Sequence, residues 1–289
     1  MECYGCGKNS VQKKYKKQGH IFFQCKNCGL LFTDFNQEMA NYDFYDKEYT
    51  SKRTLCDTGS PDSSIENFRR KSAQRLLSQI KEYALSKSNL PLKLLDIGCG
   101  EGYFLEVARD NNFEIYGTEI SPHAAELASK RLGKPVFLGP LINADFQEGY
   151  FDIVCLIDVI EHFNNPCQQI RRIHRILKKG GLLCIHTPNL NSLYSKVMGQ
   201  RWFQIKPREH LFYFSDRSLP ILLNRFKFNV RTLKATGIYV TPRYLANILS
   251  ETNHSLARTL SLFFKISGLF DKIIYIHSGH MFCIATKEP

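Results

Sequence analysis

A chain of 289 residues with 43% hydrophobic and 23% charged side chains and a mean hydropathy of −0.28 can bury a full-sized core, and its composition excludes disorder, collagen and a multi-span membrane protein. The net charge of +12 is uneven: residues 1–90 carry 15 basic and 10 acidic side chains, residues 91–190 carry 10 and 12, and residues 191–289 carry 14 and 5. Basic ends of this kind suit anionic partners (phosphates, nucleic acid, a lipid headgroup surface) or serve solubility alone.

The opening Met1-Glu2-Cys3-Tyr4-Gly5-Cys6 has neither the basic nor the apolar part of a secretory leader, and no apolar run approaches the ~18 residues of a spanning helix. Six cysteines (Cys56, Cys99, Cys155, Cys167, Cys184 and Cys283) stand singly, as free thiols do. A cytoplasmic location is expected. The other four form two knuckles, Cys3-x2-Cys6 and Cys25-x2-Cys28, separated by eighteen residues and each followed by a glycine. Four thiolates at that spacing suit a closed structural Zn²⁺ site, whose binding energy would stand in for a core that so short a module cannot build. An iron–sulfur cluster or a redox dithiol pair are the other readings. The lysine run Lys13, Lys14, Lys16, Lys17, followed by Ile21-Phe22-Phe23, fits a β-ribbon that either binds nucleic acid or serves as scaffold, the reading preferred here.

Residues 34–90 read as a linker that turns helical. Tyr42–Tyr49 is too aromatic for a loose tether, residues 57–64 are rich in turn formers, and Phe68, Leu76, Leu77, Ile80 and Tyr83 mark an amphipathic helix from about Ile65 to Leu85. From Pro91 strands and helices alternate. Strands are expected at Lys93–Ile97, Glu114–Thr118, Val136–Leu138, Asp152–Ile157, Leu182–Thr187, Asn229–Lys234 and Met281–Thr286, with helices near Tyr103–Asp110 and His123–Arg131. This is the pattern of an α/β fold, a Rossmann-like, doubly wound, mostly parallel seven-stranded sheet, whose ligands bind past the strand C-termini. The expected organisation is a metal-held module over 1–40, a connecting helix over 41–90 and the α/β domain over 91–289.

The first α/β strand runs into Asp96-Ile-Gly98-Cys99-Gly100-Glu-Gly102-Tyr103-Phe104. Its glycines permit positive φ and a close approach to a ligand, but such a turn alone is shared with dehydrogenases. The GxGxG spacing, the acidic Asp96 at the strand end and Glu119 closing the second strand narrow the reading. A carboxylate at 119 can accept from two ribose hydroxyls.

Taken with Phe151-Asp-Ile-Val154, Asp158-Val-Ile-Glu-His162 and Leu177-Lys-Lys-Gly-Gly181, these residues resemble the class I S-adenosylmethionine-dependent methyltransferases. A narrower resemblance, to bacterial methyltransferases with an N-terminal zinc ribbon found with surface-polysaccharide or glycolipid assembly, rests on the knuckles, Tyr42–Tyr49, Thr187-Pro-Asn189 and Pro207-Arg-Glu-His-Leu-Phe-Tyr-Phe-Ser215. The resemblance implies that Asp96 and the turn Gly98, Cys99, Gly100, Gly102, Tyr103 and Phe104 hold the methionine part of S-adenosylmethionine. It implies Glu119 at the ribose, Ile120 and Leu141 about the adenine, and Asp158 at the sulfonium end. Zn²⁺ on Cys3, Cys6, Cys25 and Cys28 is the second expected cofactor.

The sulfonium methyl is already electrophilic, so the enzyme's task is to align a nucleophile with it and exclude water. For a hydroxyl acceptor two histidines fit by position. His210 is read as base or substrate-orienting group, with a structural role as the alternative; His162 is placed behind it as support. Asp158-x-x-Glu161-His162 also resembles the ExxEH of ubiquinone-pathway and RNA 3′-end O-methyltransferases, which bind a divalent cation, with aspartate in the first place. The expected acceptor is a sugar, glycolipid or quinone-like hydroxyl; RNA, sugar carbon, and a non-catalytic binding module that keeps the cofactor fold are the alternatives. Finally, Leu256, Leu260, Phe263, Ser267, Phe270 and Ile274, flanked by Arg258, Lys265 and Lys272, read as one basic amphipathic face within about 242–278, although Gly268 and Asp271 weaken a single continuous helix. That face packs on the domain, forms a dimer contact or lies on an anionic membrane.

Overall fold

The computed structural model describes residues 1–34, 63–84, 91–250 and 254–288. The expected aromatic segment Tyr42–Tyr49, Cys56 and most of the turn-rich stretch lie outside the described residues. Two sheets carry the molecule. The larger has the strand order β10-β11-β8-β7-β4-β5-β6, built from β4 (Lys93–Ile97), β5 (Glu114–Glu119), β6 (Phe137–Leu138), β7 (Phe151–Ile157), β8 (Leu177–Pro188), β10 (Phe228–Val240) and β11 (Ile274–Lys287). Pairs β4/β5, β4/β7, β5/β6 and β7/β8 are parallel, while β11 lies antiparallel between β8 and β10. The chain winds outward from β4 to β6 and then returns to place β7 on the other side of β4. A crevice therefore opens beyond the C-terminal ends of β4 and β7, where the winding reverses.

Both sheet faces are covered, which explains why the strands read as near-continuous apolar runs. On one face α1 (Ser63–Ala84) and α2 (Tyr103–Arg109) bury Leu76, Leu77, Ile80 and Leu105 against Leu94, Ile153, Cys155 and Cys184. On the other, α4 (Pro166–Ile176) and α6 (Ser218–Arg225) bury Ile170, Ile173, Leu219 and Leu222 against Leu95, Val154, Leu156 and Leu183. Successive strand residues thus feed opposite cores. Local chemistry fixes the helix starts. The α3 helix (Pro122–Leu132) has Ser121 as N-cap, Pro122 in its first turn and Gly133 at φ 66° closing it; α4 has Asn165 and Pro166 in the same roles.

The smaller sheet is antiparallel, in the order β1-β2-β3-β9. Its strands are β1 (Val11–Lys17), β2 (His20–Cys25) and β3 (Leu31–Thr33), joined by β9 (Phe212–Tyr213) from far along the chain. A short helix α5 (Leu193–Met198) precedes β9. Cys3, Cys25, Cys28, Leu30 and Phe32 share one buried cluster with Phe151, Phe212 and Phe214, so the ribbon packs into the α/β core.

The C-terminal segment departs from expectation. In place of one amphipathic stretch there are two helices, α7 (Pro242–Ser250) and α8 (His254–Ile266), and β11 already starts at Ile274. Gly268, at φ 68°, stops the helical course, and Ile273-Ile-Tyr-Ile276 is a β-branched and aromatic run better suited to pairing with β10. Ala257 is buried, whereas Leu262, Phe263 and Ile266 are exposed, so the outward face differs from the predicted stripe. Among the described residues no helix is long and apolar enough to cross a membrane.

Candidate functional site

Past β4 the chain turns through Gly98, Gly100 and Gly102 at φ 68°, 54° and 82°. The Gly98 and Cys99 N–H groups donate to the Thr118 carbonyl at 2.8 and 3.0 Å, knitting the turn to β5. A Cβ on Gly98 would stand 2.7 Å from Cγ2 of Val159, a β-branched side chain with little freedom to yield. Gly98→Ala is expected to weaken binding of S-adenosylhomocysteine more than tenfold and to destabilise the fold by about 1–2 kcal/mol. Titration calorimetry and thermal melts check this, and affinity within twofold of wild type counts against it.

Glu119, at the end of β5, folds its carboxylate back onto this turn. Oε2 accepts from Gly100 N–H at 2.8 Å, and Oε1 from Ile120 N–H at 2.8 Å and Ser121 N–H at 3.0 Å. Three of about four lone-pair positions are occupied by backbone. Asp96 is 2% exposed, and its Oδ1 has no hydrogen-bond partner among the described residues. Burial, and then the nearby Glu119, push its carboxyl well above the usual carboxylate range. Cys99 is buried and Ile120 half-buried. The side chains of Tyr103, Phe104 and Leu141 are taken up elsewhere. The Tyr103 hydroxyl donates to Glu66 of α1 at 2.9 Å while its ring lies 3.8 Å from the Arg131 guanidinium. Phe104 and Leu141 pack in the two cores.

Across the crevice, Asp158 follows β7 directly at φ 55°, and its side chain is 47% exposed. Its Oδ1 lies 2.8 Å from Nδ1 of His186 on β8 and 3.8 Å from Nε2 of His280 on β11, whose rings stack with centroids 4.9 Å apart and planes 7° from parallel. The protein walls of the crevice partly desolvate Asp158, which opposes its charge, but the facing imidazoles, His186 first, outweigh this and hold the carboxyl below its usual range. Glu161, 2% exposed, accepts from the Thr187 hydroxyl at 2.9 Å; burial, with the Asp158 charge, pushes it up to about 8. His162 Nδ1–H donates to the Glu209 carbonyl at 2.8 Å and His210 Nδ1–H to the Gln204 carbonyl at 2.9 Å, and the two rings meet edge to face at 4.8 Å. One ligand atom from each of Glu161, His162 and His210 lies within 4.8 Å of the others. The cluster therefore differs from the Asp158, Glu161 and His162 grouping that the ExxEH resemblance offered as an alternative. Asp158, one methylene shorter than glutamate, faces His186 instead, and the side chain that closes the group with Glu161 and His162 is His210.

At the ribbon, one sulfur from each knuckle meets one from the other, Cys3 to Cys28 at 3.5 Å and Cys6 to Cys25 at 3.6 Å, with all four sulfurs within 4.8 Å. Gly7 and Gly29, at φ 73° and 80°, close the turns by donating N–H to the Cys3 and Cys25 carbonyls.

The family model described as the methyltransferase domain matches residues 68–233, more than half of the chain, and so spans both walls of the crevice. The chain belongs to the methyltransferase-domain family. Over 130 residues it is 29% identical to a ubiquinone biosynthesis O-methyltransferase of Pseudomonas aeruginosa, covering 40% of this chain and 54% of the relative. The chain thus spans about half the length of the curated relatives it matches. Its fold is like that of a SAM-dependent methyltransferase from Thermotoga maritima, at TM-score 0.55 and 18% identity over 86% of this chain and 100% of the other. A second, from Archaeoglobus fulgidus, gives TM-score 0.51 and 21% identity over 77% and 97%.

In this methyltransferase-domain protein the sequence reading missed His186 and His280. The signal available was a histidine inside each of two apolar strands, His186 near the end of β8 and His280 opposite that end in the antiparallel β11. Burial, against the pull of Asp158, lowers His280 to about 4, from roughly 6.5 for an exposed imidazole. The unfolded chain takes up this proton as pH falls through about 6.5, and the folded one only near 4. The stabilisation is therefore complete above the higher value and lost as pH falls towards the lower, by about 2 kcal/mol at pH 5. His280→Gln should lose correspondingly less between pH 7.5 and pH 5 in urea unfolding; equal losses for both proteins refute the assignment.

Proposed function

We propose that the chain transfers a methyl group from S-adenosylmethionine to a hydroxyl of a small molecule, held beside a divalent cation. The cofactor side is supported by the unpartnered Asp96 oxygen, the glycine turn that admits no Cβ at position 98, and Glu119. Asp96 meets the cationic amino group, which offsets both its burial and the neighbouring charge. Gly98, Cys99, Gly100 and Gly102 offer the backbone surface for the methionine part, and Glu119 has one lone-pair position left for the ribose. Ile120 flanks the adenine. S-adenosylmethionine, when bound, supplies an electrophilic methyl, so the protein's part is alignment and exclusion of water.

The observation that carries the acceptor side is the convergence of Glu161, His162 and His210 within 4.8 Å. Each imidazole is anchored through Nδ1 to a backbone carbonyl, the arrangement that fixes the tautomer of a metal-binding histidine and presents Nε2. Burial lowers both imidazoles, further favouring the neutral form that a cation needs. Glu161, His162 and His210 would hold such a cation, which when bound would lower the proton affinity of a hydroxyl beside it. Asp158, open to the crevice and backed by His186, accepts a hydrogen bond from the acceptor. A hydroxyl with a second oxygen beside it suits this site, in keeping with the quinone-pathway name of the relatives. Zn²⁺ belongs at the ribbon: a tetrahedron of Zn–S bonds near 2.3 Å has edges of about 3.8 Å, close to the observed sulfur separations of 3.5 and 3.6 Å.

The test is transfer of labelled methyl to a catechol, to sugars and to amines by enzyme dialysed against EDTA, with and without added Mn²⁺. Cation-dependent label in the catechol supports the reading. Label in amines, or turnover indifferent to the cation, overturns it, and label in sugars alone moves the acceptor class while keeping the site.

A further inference from the structure

We propose that the cysteine ribbon is a positioning element of the acceptor site, and that Lys17 is the residue through which it fixes the loop carrying His210. The proposal rests on the reading of His210 given above, and goes beyond it by assigning the ribbon its task.

The ribbon and the acceptor site are parts of one hydrogen-bonded structure. Strand β3 pairs with β9, Leu31 opposite Tyr213 and Phe32 opposite Phe212, immediately after His210. Thr33 N–H donates to the Leu211 carbonyl at 3.0 Å, and Leu211 N–H donates to the Glu161 carbonyl at 2.8 Å. Residue 211 is thus held by the ribbon on one side and by the acceptor cluster on the other. The loop before it is held twice more. Phe22 and Leu31 of the ribbon pack with Trp202, Ile205 and Tyr213 in a separate buried cluster, and Lys17 Nζ donates to the Gln200 carbonyl at 2.7 Å and the Ile205 carbonyl at 3.1 Å. Between those two carbonyls lies Gln204, whose own carbonyl accepts from His210 Nδ1–H. Lys17 therefore brackets the peptide that orients the His210 ring.

The lysine run separates accordingly. Lys13, Lys14 and Lys16 are exposed, while Lys17 is partly buried against the loop. The residue that composition alone groups with a nucleic-acid-binding stripe spends its ammonium on two carbonyls within the molecule. Those carbonyls precede β9, and an ammonium with three donors serves both at once. Since misplacement of a reacting group by about 1 Å costs up to a hundredfold in rate, a loosened 200–210 loop is felt in turnover before it is felt in stability.

The experiment compares Lys17→Met, which keeps most of the stem and loses the ammonium, with Lys17→Arg and with a Lys13/Lys14/Lys16→Ala triple variant. In Lys17→Met we expect kcat to fall about tenfold or more, while S-adenosylhomocysteine affinity and the melting temperature stay near wild type. The His210 imidazole signals should shift and broaden in ¹⁵N-histidine spectra, as should those of His280, which the Gln204 amide contacts at 3.3 Å, while His174, packed on Phe228, stays unmoved; the Leu211 amide should exchange faster. Arginine should restore most of each, and the triple variant should resemble wild type. Unchanged His210 signals and Leu211 protection in Lys17→Met overturn the proposal. So does a uniform loss that includes cofactor affinity, which marks a general stability role. Loss confined to the triple variant also overturns it, in favour of a ribbon acting through its exposed lysines. The spectra and exchange require neither acceptor nor cation, so they judge the positioning role even if the catechol assay fails.

Discussion

Glu119→Gln should reduce affinity for S-adenosylhomocysteine by about 100-fold or more and lower the melting temperature by several degrees. The substitution is nearly isosteric, so the size of the effect comes from donor–acceptor arithmetic. The carboxylate accepts from three backbone N–H groups, one on Oε2 and two on Oε1. A glutamine has one oxygen and an NH2 that can only donate. Whichever way the amide is turned, its NH2 faces at least one N–H, and a buried donor without a partner costs about 1–3 kcal/mol. The Gly98–Gly102 turn leans on these bonds, so the penalty falls on the cofactor surface itself. Two to four degrees per kcal/mol is usual for domains of about 150–250 residues. Calorimetric titration and scanning calorimetry measure the two effects. Affinity within fivefold of wild type removes Glu119 from the cofactor site.

His210→Ala should leave cofactor affinity unchanged and reduce kcat by about 10²–10³-fold, the range for losing a positioned proton-transfer or ligating group. The ring bears on the acceptor side alone: its neighbours are His162, Gln204 and Tyr213, none of them part of the Asp96–Glu119 group. Mn²⁺ affinity, followed by electron paramagnetic resonance, should fall in the same variant. A kcat within threefold of wild type at saturating Mn²⁺ excludes His210 from the chemistry. If turnover collapses but Mn²⁺ binding persists, the histidine acts on the acceptor's proton and the cation rests on Glu161 and His162.

What was legible in the sequence was local. The two CxxC knuckles, the GxGxG turn and a carboxylate closing the next strand are set by spacings of a few residues, and each motif stands where the fold requires it. The seven-stranded sheet followed from alternating apolar runs, since a strand covered on both faces carries its own signature. His210 drew notice only through its place in Pro207-Arg-Glu-His, on the long connection after the fifth parallel-sheet strand, which is a family likeness and not a local physical signal. The misses are relations between distant residues. Nothing near Leu31 announces that its partner strand is Phe212–Tyr213, because a two-residue strand has no period of its own. His186 and His280 sit in strands that otherwise read as core, and only the sheet order places both beside Asp158. The break at Gly268 was visible in the sequence, but the apolar repeat every three to four residues that runs on to Ile274 hid the start of a strand there. The β-branched residues that follow belong to β11.

The pairing of β3 with β9 sets an order of events during synthesis. The edge of β3 has no mate until the ribosome has added about 180 further residues, roughly 10–40 s at ordinary elongation rates. For that interval the nascent chain shows an open, apolar strand edge at Leu31-Phe32, the sort of surface that recruits foreign strands. A metal clasp at the knuckles, made early, would keep the hairpin in shape while it waits. Slowing translation between residues 34 and 213 should then cost more soluble product when zinc is scarce than when it is plentiful.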